Sequence, residues 1–232
     1  MKRIRIQLLA GCALAAGLAA SAAQAEVTTA ASIGVFSDYR LRGVSLSDKK
    51  PVLQGSLEAG VPLSDSVSVF AGVWASSLDK DAGFGASETD WYAGAKGTVG
   101  KIGWSAKYLR LVYYDAKGLD FDQYAAEVTF PVGPLGGALG VVHDEYTPGH
   151  STYVYGTASY AFPDTPFAVK GTLGYEDGTG YNDKINWGLG ASYTYQKITV
   201  GLEYQDTNRT VPGSTGKNLA GSTAVFSVTS AF

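Results

Sequence analysis

The chain has 232 residues, 18 Lys and Arg against 21 Asp and Glu, and a single cysteine. That acidic balance argues against a nucleic-acid partner, whose binding rests on basic patches. One thiol also excludes a disulfide framework. Residues 1–25 have the three-part form of a secretory signal: Lys2, Arg3 and Arg5, an apolar stretch through Ala20, and Ala23-Gln24-Ala25 as a small-x-small cleavage site. The mature chain is therefore expected to start at Glu26 and to form one domain over 26–232. A rival site exists, since Leu9-Ala10-Gly11-Cys12 matches a lipidation tetrapeptide. Cutting there would leave an apolar core of about four or five residues, below the roughly 7–15 that a signal needs. With the signal removed, no cysteine remains and 15 basic residues face 21 acids.

No run after Ala25 approaches the roughly 18 consecutive apolar residues of a membrane helix, so any membrane span must be built from strands. A closed barrel is the strand structure that satisfies its own backbone in lipid. Alternation of period two recurs down the chain and predicts strands near 28–39, 50–61, 66–77, 87–98, 102–114, 120–130, 136–146, 151–162, 167–176, 184–195, 198–208 and 219–232. The clearest is 184–195, where Ile185, Trp187, Leu189, Ala191, Tyr193 and Tyr195 share one face and Asn186, Gly188, Gly190, Ser192 and Thr194 the other. Aromatics at both ends of the apolar face suit the two membrane interfaces. Short turns such as Gly100-Lys101 and Gln196-Lys197 alternate with mostly longer polar loops around 40–49, 78–86, 115–119, 147–150, 177–183 and 209–218. The expected fold is all-β, a transmembrane antiparallel up-and-down barrel of twelve strands, with ten as the alternative. The fifth strand carries the ambiguity: Lys107 and Arg110 differ in parity, and only a bulge would bring both inside.

With the apolar face outward, the lumen is expected to hold Asp38, Arg40, Arg42, Gln54, Glu58, Glu88, Asp90, Lys96, Arg110, Glu127, Asp144, Lys170, Glu176, Lys184 and Glu203. These charges either pair across the barrel and fill it or line a narrow conduit. Barrels of eight strands are roughly filled by side chains and those of about 16–18 hold a wide channel, so twelve leaves both open. The cluster Asp38-Tyr39-Arg40-Leu41-Arg42-Gly43 is expected at the outer end of the first strand. There it is either a pair of arginines neutralised by Asp38 and Glu58 or an anion-attracting constriction. Selectivity is assigned to Asp38, Arg40, Arg42, Glu58, Glu88, Asp90, Lys96, Arg110 and Glu127. In the last strand Phe226, Val228 and the terminal Phe232 share the apolar face, and a chain ending on an aromatic resembles the assembly signal of outer-membrane barrels.

The stretches Ser37-Asp38-Tyr39-Arg40-x-Arg42-Gly43-x-Ser45, Pro51-x-x-Gln54-Gly55, Gly72-x-Trp74-Ala75-Ser76, Glu88-x-Asp90-x-Tyr92-x-Gly94 and Ala224-Val225-Phe226-Ser227-Val228 resemble the TorF-family putative porins. That resemblance implies an outer-membrane protein of Gram-negative bacteria acting as a porin, without naming a solute.

Other motifs carry less. A Ser-His-acid set for a lipid-modifying enzyme has only His143 and His150 to draw on, with Ser151 and Asp144 nearby in sequence. Glu176 to Asp183 has oxygen ligands that suit calcium, but Asp, Asn and Gly are also ordinary turn residues. Gly133-x-x-Gly136-Gly137-x-x-Gly140 reads as a turn entering a strand. The expectation is a passive channel for small polar solutes or ions, not an enzyme, with no cofactor or metal. Its partners would be outer-membrane lipid, the barrel-assembly machinery and the solutes. The alternative is a structural or surface-interaction barrel with a blocked lumen.

Overall fold

The computed structural model describes residues 26–232, so the export segment and Cys12 lie outside the described residues. Fourteen strands are formed: Thr28–Phe36 (β1), Arg40–Leu41 (β2), Val44–Ser45 (β3), Val52–Ser64 (β4), Val67–Ser77 (β5), Ser87–Val99 (β6), Ile102–Tyr114 (β7), Phe121–Val132 (β8), Leu135–Tyr146 (β9), Gly149–Ala161 (β10), Phe167–Gly178 (β11), Lys184–Tyr195 (β12), Ile198–Thr207 (β13) and Thr223–Ala231 (β14). Twelve of them close a barrel in the order β1-β14-β13-β12-β11-β10-β9-β8-β7-β6-β5-β4. The pairing is antiparallel throughout, and the ten-strand alternative falls away. β2 and β3 stand apart as a separate two-stranded hairpin.

Closure leaves no strand edge in lipid, which is the condition for a membrane-spanning sheet. The seam runs between β1 and β14, where Ser32 to Phe36 pair with Ala231 to Ser227. It is extended by the terminal residue, because the Phe232 amide donates to the Ala31 carbonyl and the Ala31 amide to that of Phe232. Side chains alternate as the sequence pattern requires: Ile33, Leu57, Leu173, Leu189, Leu202, Phe226 and Val228 are exposed on the outer wall. Exposed apolar residues in such number would be unstable in water, and they form the lipid face of a barrel.

At one end the strands are joined by tight turns. Gly100 (φ 62°) and Gln196 (φ 54°) adopt the left-handed backbone that a two-residue connection needs. At the other end lie the longer segments 37–51, 78–86, 115–120, 179–183 and 208–222; the connection at 147–148 is shorter than expected.

The fifth barrel strand, β7, has no bulge. Its register runs unbroken from Val99↔Ile102 to Ser87↔Tyr114 against β6 and from Gly103↔Thr129 to Leu111↔Phe121 against β8. Strict alternation therefore sends Leu109, Leu111 and Tyr113 inward and puts Arg110 on the outer wall beside its cross-strand partner Trp91.

Candidate functional site: a lumen crossed by a hairpin

β1 leaves the barrel wall after Phe36, two residues before the charged cluster begins. The chain then turns inward, and Gly43 to Asp48 are all buried. Arg42 (φ 52°) and Gly43 (φ 86°) form the two-residue turn between β2 and β3, both with positive φ, as a tight hairpin requires. Gly43 is pressed against the wall, where an added Cβ would meet Thr207 Cβ at 3.0 Å and Asn186 Cβ at 3.2 Å.

The base of the hairpin is tied by Asp38. Its carboxylate accepts from Ser45 Oγ (2.6 Å), Ser47 Oγ (2.9 Å) and Arg40 Nε (2.8 Å). Arg40 also donates to the carbonyls of Gly43 (2.9 Å) and Gly221 (2.7 Å), which spends it on holding backbone. The tip reaches across the lumen. Arg42 donates to Asp144 on β9 (2.6 Å) and Glu176 on β11 (2.7 Å), and β9 is the strand diametrically opposite β1 in the ring. Its guanidinium also lies over the Tyr153 ring, 4.6 Å from the centroid. Burial works against the Arg42 charge, but hydrogen bonds and attraction from Asp144 and Glu176 outweigh it and raise its pKa.

Those two carboxylates have further partners. Ser151 Oγ donates to both at 3.1 Å, Gln123 donates to Asp144, and Lys184, 1% exposed, pairs with Glu176 at 2.5 Å. The network carries two positive and two negative charges and is neutral, as a buried ionic group must nearly be.

Apolar contacts hold the hairpin sideways. Leu46 is buried with Leu109, Leu111 and Tyr113, and Tyr39 and Leu41 pack on that group. Val44 meets Leu219, Ala220 and Ala82 from the long loops, with Phe84, Tyr181 and Val211 around them. Tyr39 sits edge-on to the inward-facing Trp74, 5.3 Å between centroids. The result is a plug with a chamber on either side. The outer one has about 800 Å³ and is lined by Arg42, Val44, Phe84, Tyr146, Tyr181 and Arg209 among others. The inner one has about 510 Å³ and is lined by Asp38, Arg40, Gln54, Lys170, Ser192 and Glu203 among others.

Of the residues predicted to line the lumen, Asp38, Arg40 and Arg42 do face it, though as parts of the hairpin instead of the first strand. Glu58 pairs with Lys96 at 2.7 Å and not with the arginines. Glu88, 0% exposed, accepts from Tyr113 Oη at 2.9 Å, and Asp90 lies two residues along the same inward face. Glu127 accepts from Tyr155 Oη at 2.6 Å. Arg110 is the correction: it stands outside, 3.2 Å from Asp122, which also accepts from Tyr108 Oη at 2.7 Å. At the loop end of the wall such a charge costs only about 0–1 kcal/mol. Lys107 takes the inward place instead, 5.4 Å from the Tyr92 centroid. Phe226 and Val228 face outward, and Phe232 is 66% exposed at the seam.

The sequence pattern missed the apolar inner sector. Phe70, Trp74, Tyr92, Leu109, Leu111 and Tyr113 point into the barrel, and the signal for them was Val44 and Leu46 in a supposedly polar loop, since those two need an apolar surface to cover.

The Ser-His-acid combination is not assembled. Ser151 and Asp144 point inward, whereas His143 bonds outward-facing Thr152 through Nδ1 at 3.0 Å. In the 176–183 loop, Asp183 accepts from Tyr175 Oη and Asp177 from the Asp183 amide, the bonding of an ordinary turn. Among the described residues, the one carboxylate trio close enough to share an ion is Asp48, Asp79 and Asp81. Lys50 Nζ already bridges it at 3.7, 2.9 and 2.9 Å.

Several solved barrels have this architecture. The KdgM porin superposes with a TM-score of 0.54 at 11% identity, covering 88% of this chain and 98% of that chain. The same porin in complex with disordered oligogalacturonate gives 0.56 at 10%, with the same coverage. The COG4313 outer membrane channel of Pseudomonas putida F1 gives 0.55 at 11%, covering 88% and 94%. No curated protein matches. At such identities the likeness is one of fold: a closed barrel wrapped in apolar side chains, as the bacterial outer membrane houses. Residues 20–232 match the family described as "Bacterial protein of unknown function (Gcw_chp)", and the chain belongs to that family.

Proposed function

We propose that this chain is a porin-like outer-membrane channel for small polar solutes or ions, with the 37–51 hairpin as its constriction. The observation that carries the reading is the pair of chambers on the two sides of a hairpin whose tip is fixed by the Arg42 bridge to the far wall. A barrel evolved only as a filled scaffold has no use for about 800 Å³ of outer cavity. The resemblance to the TorF-family putative porins and the shared fold of the KdgM porin support the same conclusion. The charges that seat the hairpin are paired with one another, Arg40 with Asp38 and Arg42 and Lys184 with Asp144 and Glu176, so the constriction itself selects mainly by size and by the polarity of its walls.

A blocked surface-interaction barrel is the second reading, favoured by the tight seat of the hairpin, where Ser45 and Ser47 are 0% exposed and Leu219 1%. Swelling of liposomes holding the mature protein distinguishes the two. In isotonic arabinose they should swell faster than empty liposomes, and in raffinose they should not. No swelling in either sugar, with insertion verified, would favour the blocked barrel.

A further inference from the structure

The outer chamber is more than a vestibule. Its floor is the neutral network of Arg42, Asp144, Glu176 and Lys184, in which every charge is spent on another. One charged residue lining the chamber, Arg209, has no ion pair among the described residues, and its Nε is buried without a hydrogen-bond partner. A guanidinium left in that state lacks an acceptor that a carboxylate supplies in planar, two-pronged geometry. Its position is fixed by the preceding residue: Asn208 Oδ1 accepts from the Ile185 amide at 2.8 Å, and Asn208 Nδ2 donates to the Asp183 carbonyl at 3.1 Å. The backbone that carries Arg209 is therefore pinned to the rim of β12.

The walls are of a different kind. Tyr113 stacks on Phe121 and Tyr146 meets Phe121 edge-on, each with centroids 6.2 Å apart, Leu46 of the hairpin packs against that wall, and Val44, Tyr181 and Val211 add further apolar lining. Flat apolar walls with a few convergent polar groups, in a volume of about 300–1,000 Å³, are the usual form of a small-molecule site.

We propose that the outer chamber is a binding site for a small amphipathic anion, one with a flat apolar body that fits the aromatic wall and a single carboxylate that Arg209 receives. The proposal deepens the channel reading, in that a solute held here rests directly above the hairpin.

The test is equilibrium binding to the mature barrel in nanodiscs, with 3-phenylpropionate as the probe, its neutral amide and gluconate as comparisons, and conductance recorded on the same preparation. The account expects 3-phenylpropionate to bind, the amide and Arg209→Gln each to weaken binding by roughly tenfold to a hundredfold, and gluconate to bind far more weakly. Arg209→Lys should recover part of the affinity. Equal binding by wild type and Arg209→Gln, equal binding of gluconate, or no binding of 3-phenylpropionate would each overturn the site. Conductance without binding would remove this site and keep the channel; binding without conductance would do the reverse.

Discussion

Arg42→Ala is expected to raise both the amplitude and the open-state fraction of single-channel currents. Among the described residues, Arg42 is the sole hydrogen-bonded tie between the hairpin tip and the far wall, with Asp144 and Glu176 as acceptors and Tyr153 beneath it. Its removal leaves both acceptors hydrogen-bonded, Asp144 to Ser151 and Gln123 and Glu176 to Ser151 and Lys184, but with one negative charge in excess when the hairpin is seated. The wall therefore survives, while the hairpin loses its anchor. Breaking a buried ion pair costs about 3–5 kcal/mol, and even about 3 kcal/mol is roughly a hundredfold change in the ratio of seated to displaced hairpin. The base of the hairpin stays tied by Asp38, Ser45 and Ser47, so the displaced state is local. Arg42→Lys, with a single point charge in place of the fork, should fall between wild type and alanine. Currents identical to wild type in the alanine variant would mean that the hairpin does not set the constriction.

Leu189→Arg is expected to lower the inserted fraction sharply, read as heat-modifiable gel mobility of membrane fractions. Leu189 is 66% exposed and lies midway along β12, on the face shared by Trp187 and Tyr193. An arginine near the bilayer midplane costs about 2–4 kcal/mol, against a typical total stability of about 5–15 kcal/mol. Ser192→Arg on the same strand should insert normally, since Ser192 lines the inner chamber together with Glu203. Equal loss in the two variants would undo the assignment of inner and outer faces.

How far these features were legible depends on what the local pattern encodes. Strands such as Lys184–Tyr195 were plain, because one face meets lipid and the other water, and a period-two signal records that contrast directly. The count of twelve followed from it. Arg110 was misplaced because β7 is apolar on both faces near its outer end: Leu109, Leu111 and Tyr113 meet the hairpin while Tyr108, Val112 and Tyr114 face out. Alternation cannot tell an apolar face that meets lipid from one that meets a plug. The hairpin itself was read as the end of the first strand plus a loop. Its inward course is fixed by Asp144 and Glu176, 102 and 134 residues away, and no local window contains them. Parity did put Asp38, Arg40 and Arg42 inside. It could not find their partners, nor distinguish Arg40, which holds backbone, from Arg42, which spans the lumen.

Single-channel recording of the unaltered mature barrel in a planar bilayer bears most directly on the claim that this is a hairpin-constricted channel. The expected record is a series of discrete, small current steps, well below those of an unobstructed barrel of twelve strands, with brief larger openings when the hairpin leaves its seat. A silent bilayer at all voltages, with correctly folded protein shown to be inserted, would contradict the channel and leave a barrel sealed by its own first loop.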